Sequence, residues 1–243
     1  MFYRAKPGQV SYGEAIGILL LDSEVPYIPG DVANASTFNY PVRFARVPGL
    51  TVERIFNHDA SLLNDVAAAA DNLKANGVRA ITGDCGFMAI FQEKLADTIG
   101  IPVFMSSLLQ VPFINLLLGS DKKIGIITAN AGSLTSTVLK PCGADLPGKI
   151  AIRGLEHCPY FSEAFIEEKG TLDSKKVEAE LLDVTRQLID DVPEIGALLL
   201  ECSVLPPYAA SVQQATALPV FDYITMINYV YSAVVKNSFN GFM

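Results

Sequence analysis

Short runs of apolar residues alternate along the chain with stretches whose apolar positions recur every three to four residues. The first kind reads as strands of a parallel sheet, buried on both faces, and the second as helices that cover the sheet. Strands are expected at residues 15–21, 41–47, 78–82, 101–105, 123–128, 149–155, 197–201 and 219–222. Between the second and third, Leu62, Leu63, Val66, Ala70 and Leu73 share one helical face that Gly77 would terminate, and Leu181, Val184 and Leu188 share another later on. The fold class this predicts is α/β.

Laid over itself, the chain repeats. Cys85 and Cys202 lie 117 positions apart, and the same offset relates Ile101-Pro102-Val103-Phe104 to Leu218-Pro219-Val220-Phe221. Ile16-Gly17-Ile18-Leu19 and Ile124-Gly125-Ile126-Ile127 are 108 positions apart. The difference is assigned to a longer loop in the first half, the turn-rich residues 22–40 with Pro26, Pro29, Gly30, Asn34 and Asn39. Two similar lobes are expected, residues 1–120 and 121–221, each a parallel sheet flanked by helices and related by a pseudo-twofold axis.

In both halves the repeated unit runs from a buried strand through an acidic residue to a cysteine, Asp84-Cys85 and Glu201-Cys202. Ligands of open parallel sheets bind at the carboxyl ends of the strands, so facing lobes would put the two thiols on opposite walls of one cleft. A pair of thiols suits proton transfer at a carbon next to a carboxylate, one as base and the other as acid. A helix start behind each cysteine is expected to lower its pKa.

Composition narrows the rest. Half of the 243 residues are hydrophobic and 18% are charged, as in a globular chain. The net charge of −8 and the lack of any basic stripe argue against nucleic acid. Neither apolar run, 15–21 nor 108–118, has the length of a membrane span. Four cysteines without C-x-x-C spacing fit a reducing cytoplasm rather than a disulfide scaffold, and two scattered histidines offer no zinc motif, so no metal is expected. Cys142 and Cys158 read as small buried hydrophobes, and His58 and His157 as capping or surface residues.

The paired cysteines, the repeat and the glycine-rich first loop resemble the aspartate/glutamate racemase superfamily over essentially the full chain. The resemblance implies two α/β lobes, Cys85 and Cys202 as the acid/base pair, no cofactor, a homodimer, and a C-terminal helix (222–243) packed back on the first lobe. Two departures concern the substrate: Gly86-Phe87 and Ser203-Val204 stand where amino-acid racemases of the superfamily carry Asn-Thr and Thr followed by a polar residue. The stretches Gly83-Asp84-Cys85-Gly86-Phe87-Met88, Phe91-Gln92 and Pro102-Val103-Phe104-Met105-Ser106-Ser107 are also similar to the algal-type dimethylsulfoniopropionate lyases of that superfamily.

The reading from sequence is therefore a cofactor-independent racemase of a small carboxylate compound. The alternatives are β-elimination from dimethylsulfoniopropionate, hydantoin racemisation, and a non-catalytic binding protein for small acids. Substrate contacts are expected from Gly86, Ser106, Thr128, Asn130 and Ser203. Asp84, Glu201, Tyr27 and Tyr208 are available to a sulfonium group, although Asp84 and Glu201 read more simply as helix caps or sheet partners.

Overall fold

Seven strands organise the computed structural model, which describes residues 2–243. They are β1 (Ile16–Leu20), β2 (Val42–Arg46), β3 (Ala80–Gly83), β4 (Lys123–Thr128), β5 (Ile150–Gly154), β6 (Ile195–Leu200) and β7 (Val220–Phe221). All pairings are parallel, in one sheet of order β2-β1-β3 and another of order β5-β4-β6-β7. β1 and β4 are central and almost wholly buried, which is why they read as continuous apolar runs.

The eighth expected strand, 101–105, is reduced to one bridge between Ile81 and Val103. Ile81 N–H donates to the Pro102 carbonyl and Phe104 N–H to that of Ile81, but Pro102 has no N–H to extend the ladder. Its repeat counterpart behind Pro219 is the two-residue β7.

The internal repeat persists in the backbone hydrogen bonds. Asp84 N–H donates to Leu19 O as Glu201 N–H does to Ile127 O, and Val47 N–H to Leu20 O as Leu155 N–H does to Thr128 O. A glycine stands at the same place in both central strands because neighbouring side chains pack directly onto it. A Cβ on Gly17 would approach Leu73 to 3.0 Å, and one on Gly125 would approach Leu198 to 2.8 Å and Leu188 to 3.3 Å.

The longer loop does not lie where the sequence reading put it. β2 and β5 keep the 108-residue offset, so residues 22–40 are matched in length after β4. The surplus falls in the second half between β5 and β6, where the helix Ser174–Asp191 has 18 residues against 13 in Leu63–Ala75 and follows a π-helical turn at Ser162–Ile166.

One apolar cluster joins the two sheets: Leu19, Ile81, Phe87 and Met88 pack with Ile124, Ile126, Val138 and Leu199. On the outer face of the first sheet, the helix Tyr223–Val234 lays Tyr223, Met226 and Ile227 over Ile16, Ile18 and Ala80. Asp222 caps that helix by accepting Thr225 N–H at 2.7 Å, and the buried Tyr223 hydroxyl donates to Met105 O at 3.0 Å. No described helix is long and apolar enough to cross a membrane.

If Tyr223 is the anchor of this helix, urea unfolding should separate its two contributions. Tyr223→Phe, which strands a buried carbonyl, is expected to cost about 1–3 kcal/mol, and Tyr223→Ala about 3–5 kcal/mol by leaving a cavity as well.

Candidate active site

β3 and β6 end side by side across the interface, and the cysteine that follows each strand enters one cleft. Cys85 and Cys202 share it with the side chains of Val25, Tyr27, Val52, Phe56, Phe87 and Phe165. Asp84 is the only charged side chain lining it among the described residues. The lobes hold each other at this point. Ser203 Oγ donates to the carbonyl of Asp84, and Ser107 Oγ donates to the carbonyl of Glu201 at 2.9 Å. Each cysteine therefore follows a peptide group fixed by the lobe opposite.

The two acids ahead of the cysteines hold corresponding positions within their sheets. Asp84 Oδ1 accepts Leu21 N–H at 2.9 Å, just past β1, and Glu201 Oε2 accepts the Thr128 hydroxyl at 2.8 Å, at the end of β4. Both pair across to the central strand rather than cap a helix. Burial raises each carboxyl to about 7, and that of nearby Asp31 to about 8.

The expectation of acidified thiols is overturned. Burial is the main cause that pushes both thiols upward, reinforced at Cys85 by Cys202, Glu201 and Asp84 and at Cys202 by Glu201, Asp31 and Asp84. The N–H groups of Phe87 and Val204, two residues beyond each cysteine, oppose this only in part. The segment after Cys85 is a 310 turn, Gly86–Phe91, so its peptide dipoles align over a short length.

Of the expected substrate contacts, only Ser203 lines the cleft, and its hydroxyl is committed to Asp84 O. Gly86 is buried against the Glu201 carboxyl, and Thr128 holds that same carboxyl. Ser106 is buried and caps the turn Ser107–Gln110, while Asn130 Oδ1 accepts Ser133 N–H at 3.0 Å. Tyr27 does line the cleft, paired with Ser23 Oγ at 2.5 Å; Tyr208 is buried outside it. The sequence reading missed Ser23, Phe56, Phe87 and Phe165. An aromatic two residues after Cys85 was the one local signal for them.

Two further hydrogen bonds bridge the lobes. His58 Nε2 pairs with Ser133 O at 2.6 Å, and Glu168 accepts Glu24 N–H at 3.0 Å. Both His58 and Glu168 have left-handed backbone, φ 55° and 52°.

Solved structures of two racemases and a decarboxylase share this two-sheet α/β fold. Glutamate racemase from Bacillus anthracis superposes with a TM-score of 0.59 over 92% of this chain and 85% of its own, at 15% identity. Allantoin racemase from Pseudomonas fluorescens gives 0.60 over 91% of both chains, also at 15% identity. Arylmalonate decarboxylase gives 0.57 at 13% identity over 93% of this chain and 94% of its own. Sequence likeness is more specific. The chain is 34% identical to dimethylsulfoniopropionate lyase from Durusdinium sp. clade D over 92% of its length and 76% of the relative's. It is 35% identical to dimethylsulfoniopropionate lyase 3 of Emiliania huxleyi, again over 92% of its length but only 60% of the relative's. The chain belongs to the dimethylsulfoniopropionate lyase family. No family model matches it.

The buried acids predict an unusual pH dependence. Asp31, Asp84 and Glu201 hold their protons in the native state to about 7–8, well above the ordinary carboxylate range. Between those limits the native state binds more protons than the unfolded one, so stability falls as pH rises. The urea midpoint of the free protein is expected to drop between about pH 5 and pH 8, with each acid contributing on the order of 1–3 kcal/mol. A midpoint that rises over that interval would show that these groups are ionised in the native cleft.

Proposed function

We propose that this protein is a cofactor-independent carbon–sulfur lyase that cleaves dimethylsulfoniopropionate to acrylate and dimethyl sulfide. The observation that carries the reading is the cleft's lining: two thiols, aromatic walls, and one acid as its only charged side chain among the described residues. An amino acid would bring an ammonium that needs several hydrogen-bond acceptors. A sulfonium has no N–H or O–H to satisfy and is stabilised by aromatic faces and a carboxylate. Phe56, Phe87, Phe165 and Asp84 supply these, and the Ser23–Tyr27 hydroxyl pair is a neutral donor group for the substrate's carboxylate. The family membership supports the same chemistry.

In this reading a cysteine thiolate takes the proton from the carbon next to the carboxylate. The C–H electron pair becomes the Cα–Cβ double bond, and the Cβ–S bond breaks with its electrons going to sulfur. Dimethyl sulfide leaves neutral and acrylate remains. The proton now on the thiol passes to solvent, which restores the base. The arriving sulfonium favours negative charge in the cleft and so opposes the burial that holds the thiols protonated, and the substrate promotes formation of its own base.

Racemisation of a small carboxylate compound is the second reading, favoured by the symmetric placement of the sulfurs, each two residues ahead of an N–H that points to it. The two reactions make different demands. Racemisation needs both thiols in every turnover, whereas elimination needs one base. Cys85→Ala and Cys202→Ala are therefore expected to be unequal in dimethylsulfoniopropionate cleavage, with the base variant losing about 10²–10⁴-fold and the other less. Proton NMR in deuterium oxide, with the headspace assayed for dimethyl sulfide, reads both reactions. Exchange of the α-proton of aspartate, glutamate or a hydantoin without acrylate from the sulfonium substrate would replace the lyase reading with a racemase. Asp84→Asn is expected to raise KM for dimethylsulfoniopropionate at least about tenfold, with a smaller effect on kcat.

A further inference from the structure

Glu201 stands next to Cys202, yet its side chain takes no part in lining the cleft. The residue is wholly buried, with Thr128 Oγ1 on Oε2 and no partner for Oε1. That bare oxygen lies against the peptide beside the other thiol: a Cβ on Gly86 would come within 1.6 Å of it. The second-lobe acid thus reaches the first-lobe cysteine, and glycine follows Cys85 because only a hydrogen leaves room.

Charge balance around this carboxyl is one-sided. Among the described residues no Lys, Arg or His makes an ion pair with it. The titratable groups that feel its charge are Cys202 beside it, Cys85 from the first lobe, Cys142 from the turn Lys140–Cys142, and Tyr223 from the C-terminal helix. All four become anionic when they ionise. A buried carboxylate with one donor is under-solvated, whereas a neutral carboxyl there can share one hydrogen bond with Thr128 and leave its carbonyl oxygen bare at modest cost. The surroundings suit the neutral form.

We propose that Glu201 sets the protonation state of the Cys85–Cys202 pair, its neutral carboxyl permitting a thiolate in the cleft and its ionised form holding both thiols protonated. Glu201 is then a positioning residue for charge, acting through the sulfurs. The inference needs the two thiols to be the reacting groups but not any one substrate, so its test is made without substrate.

The experiment measures alkylation of each cysteine by iodoacetamide in the intact protein, by mass spectrometry, across a pH series. Glu201→Gln keeps the shape and removes the charge. At about pH 8, where Glu201 of the native protein is ionised, Cys85 and Cys202 of the variant are expected to react about tenfold faster, equivalent to a thiol pKa lower by one unit. At about pH 6 the native carboxyl is largely neutral and the two proteins are expected to react alike. Cys158, which is not among the groups Glu201 perturbs, serves as the internal control. Thr128→Val, which keeps the carboxyl and removes its one donor, is expected to move the thiols in the same direction by less. Equal rates at pH 8, or an acceleration that is the same at both pH values, would overturn the proposal. If Glu201→Gln fails to fold, a Thr128→Val protein with unchanged or slower alkylation at pH 8 would overturn it as well.

Discussion

The peptide carbonyl ahead of each cysteine is held by a serine hydroxyl from the other lobe, Ser203 on Asp84 and Ser107 on Glu201. A hydrogen bond of this kind contributes about 1 kcal/mol to stability, a small amount beside the apolar cluster that fuses the sheets. Its importance is geometric. Just past the ends of β3 and β6 the two lobes present equivalent carbonyls to one another, and hydroxyls from turns of the opposite lobe fix them. The spacing of the thiols is thereby a property of the two sheets together, and a change in either lobe's packing is felt at both sulfurs.

This exchange brings acid as well as sulfur into the interface. Because the residue before each cysteine pairs inward to the central strand, two carboxyls and two thiols are buried within a few side chains of one another. Among the described residues no Lys, Arg or His forms an ion pair with these acids, so burial favours keeping their protons. A cation entering such a cavity improves the ionisation of every acid in it at once. The binding of a charged ligand and the readiness of the base are then a single electrostatic event rather than two devices that must be tuned separately.

How far the sequence alone leads can be judged residue by residue. β1, β4 and β6 were readable because a strand covered on both faces has no polar positions to confuse its pattern. Segment 101–105 has the same apolar character, but Pro102 ends its ladder after one bridge, an effect of one missing donor that hydrophobicity does not register. The repeat located Cys85 and Cys202, and both line the cleft. The hydroxyls have a general ambiguity: Thr128, Ser106 and Ser203 look the same in sequence whether they face a ligand or hold the protein together, and here they bond the Glu201 carboxyl, the Leu108 N–H and the Asp84 carbonyl. The aromatic walls come from Phe56 and Phe165, which belong to different lobes and meet only in the folded chain. The growth of the offset from 108 to 117 already puts nine extra residues in the second half, and the positions of β2 and β5 then place them between β5 and β6.

The two further bridges between the lobes also carry a meaning beyond contact. Each joins the lobes through a residue, His58 or Glu168, whose backbone lies in the left-handed region. A non-glycine residue pays about 1–2 kcal/mol to sit there, and a single hydrogen bond returns about 0.5–1.5 kcal/mol. Gain and cost nearly cancel. The bridges therefore fix how the lobes meet at these two points without deepening the energy well that holds them, so that form is specified there almost independently of strength.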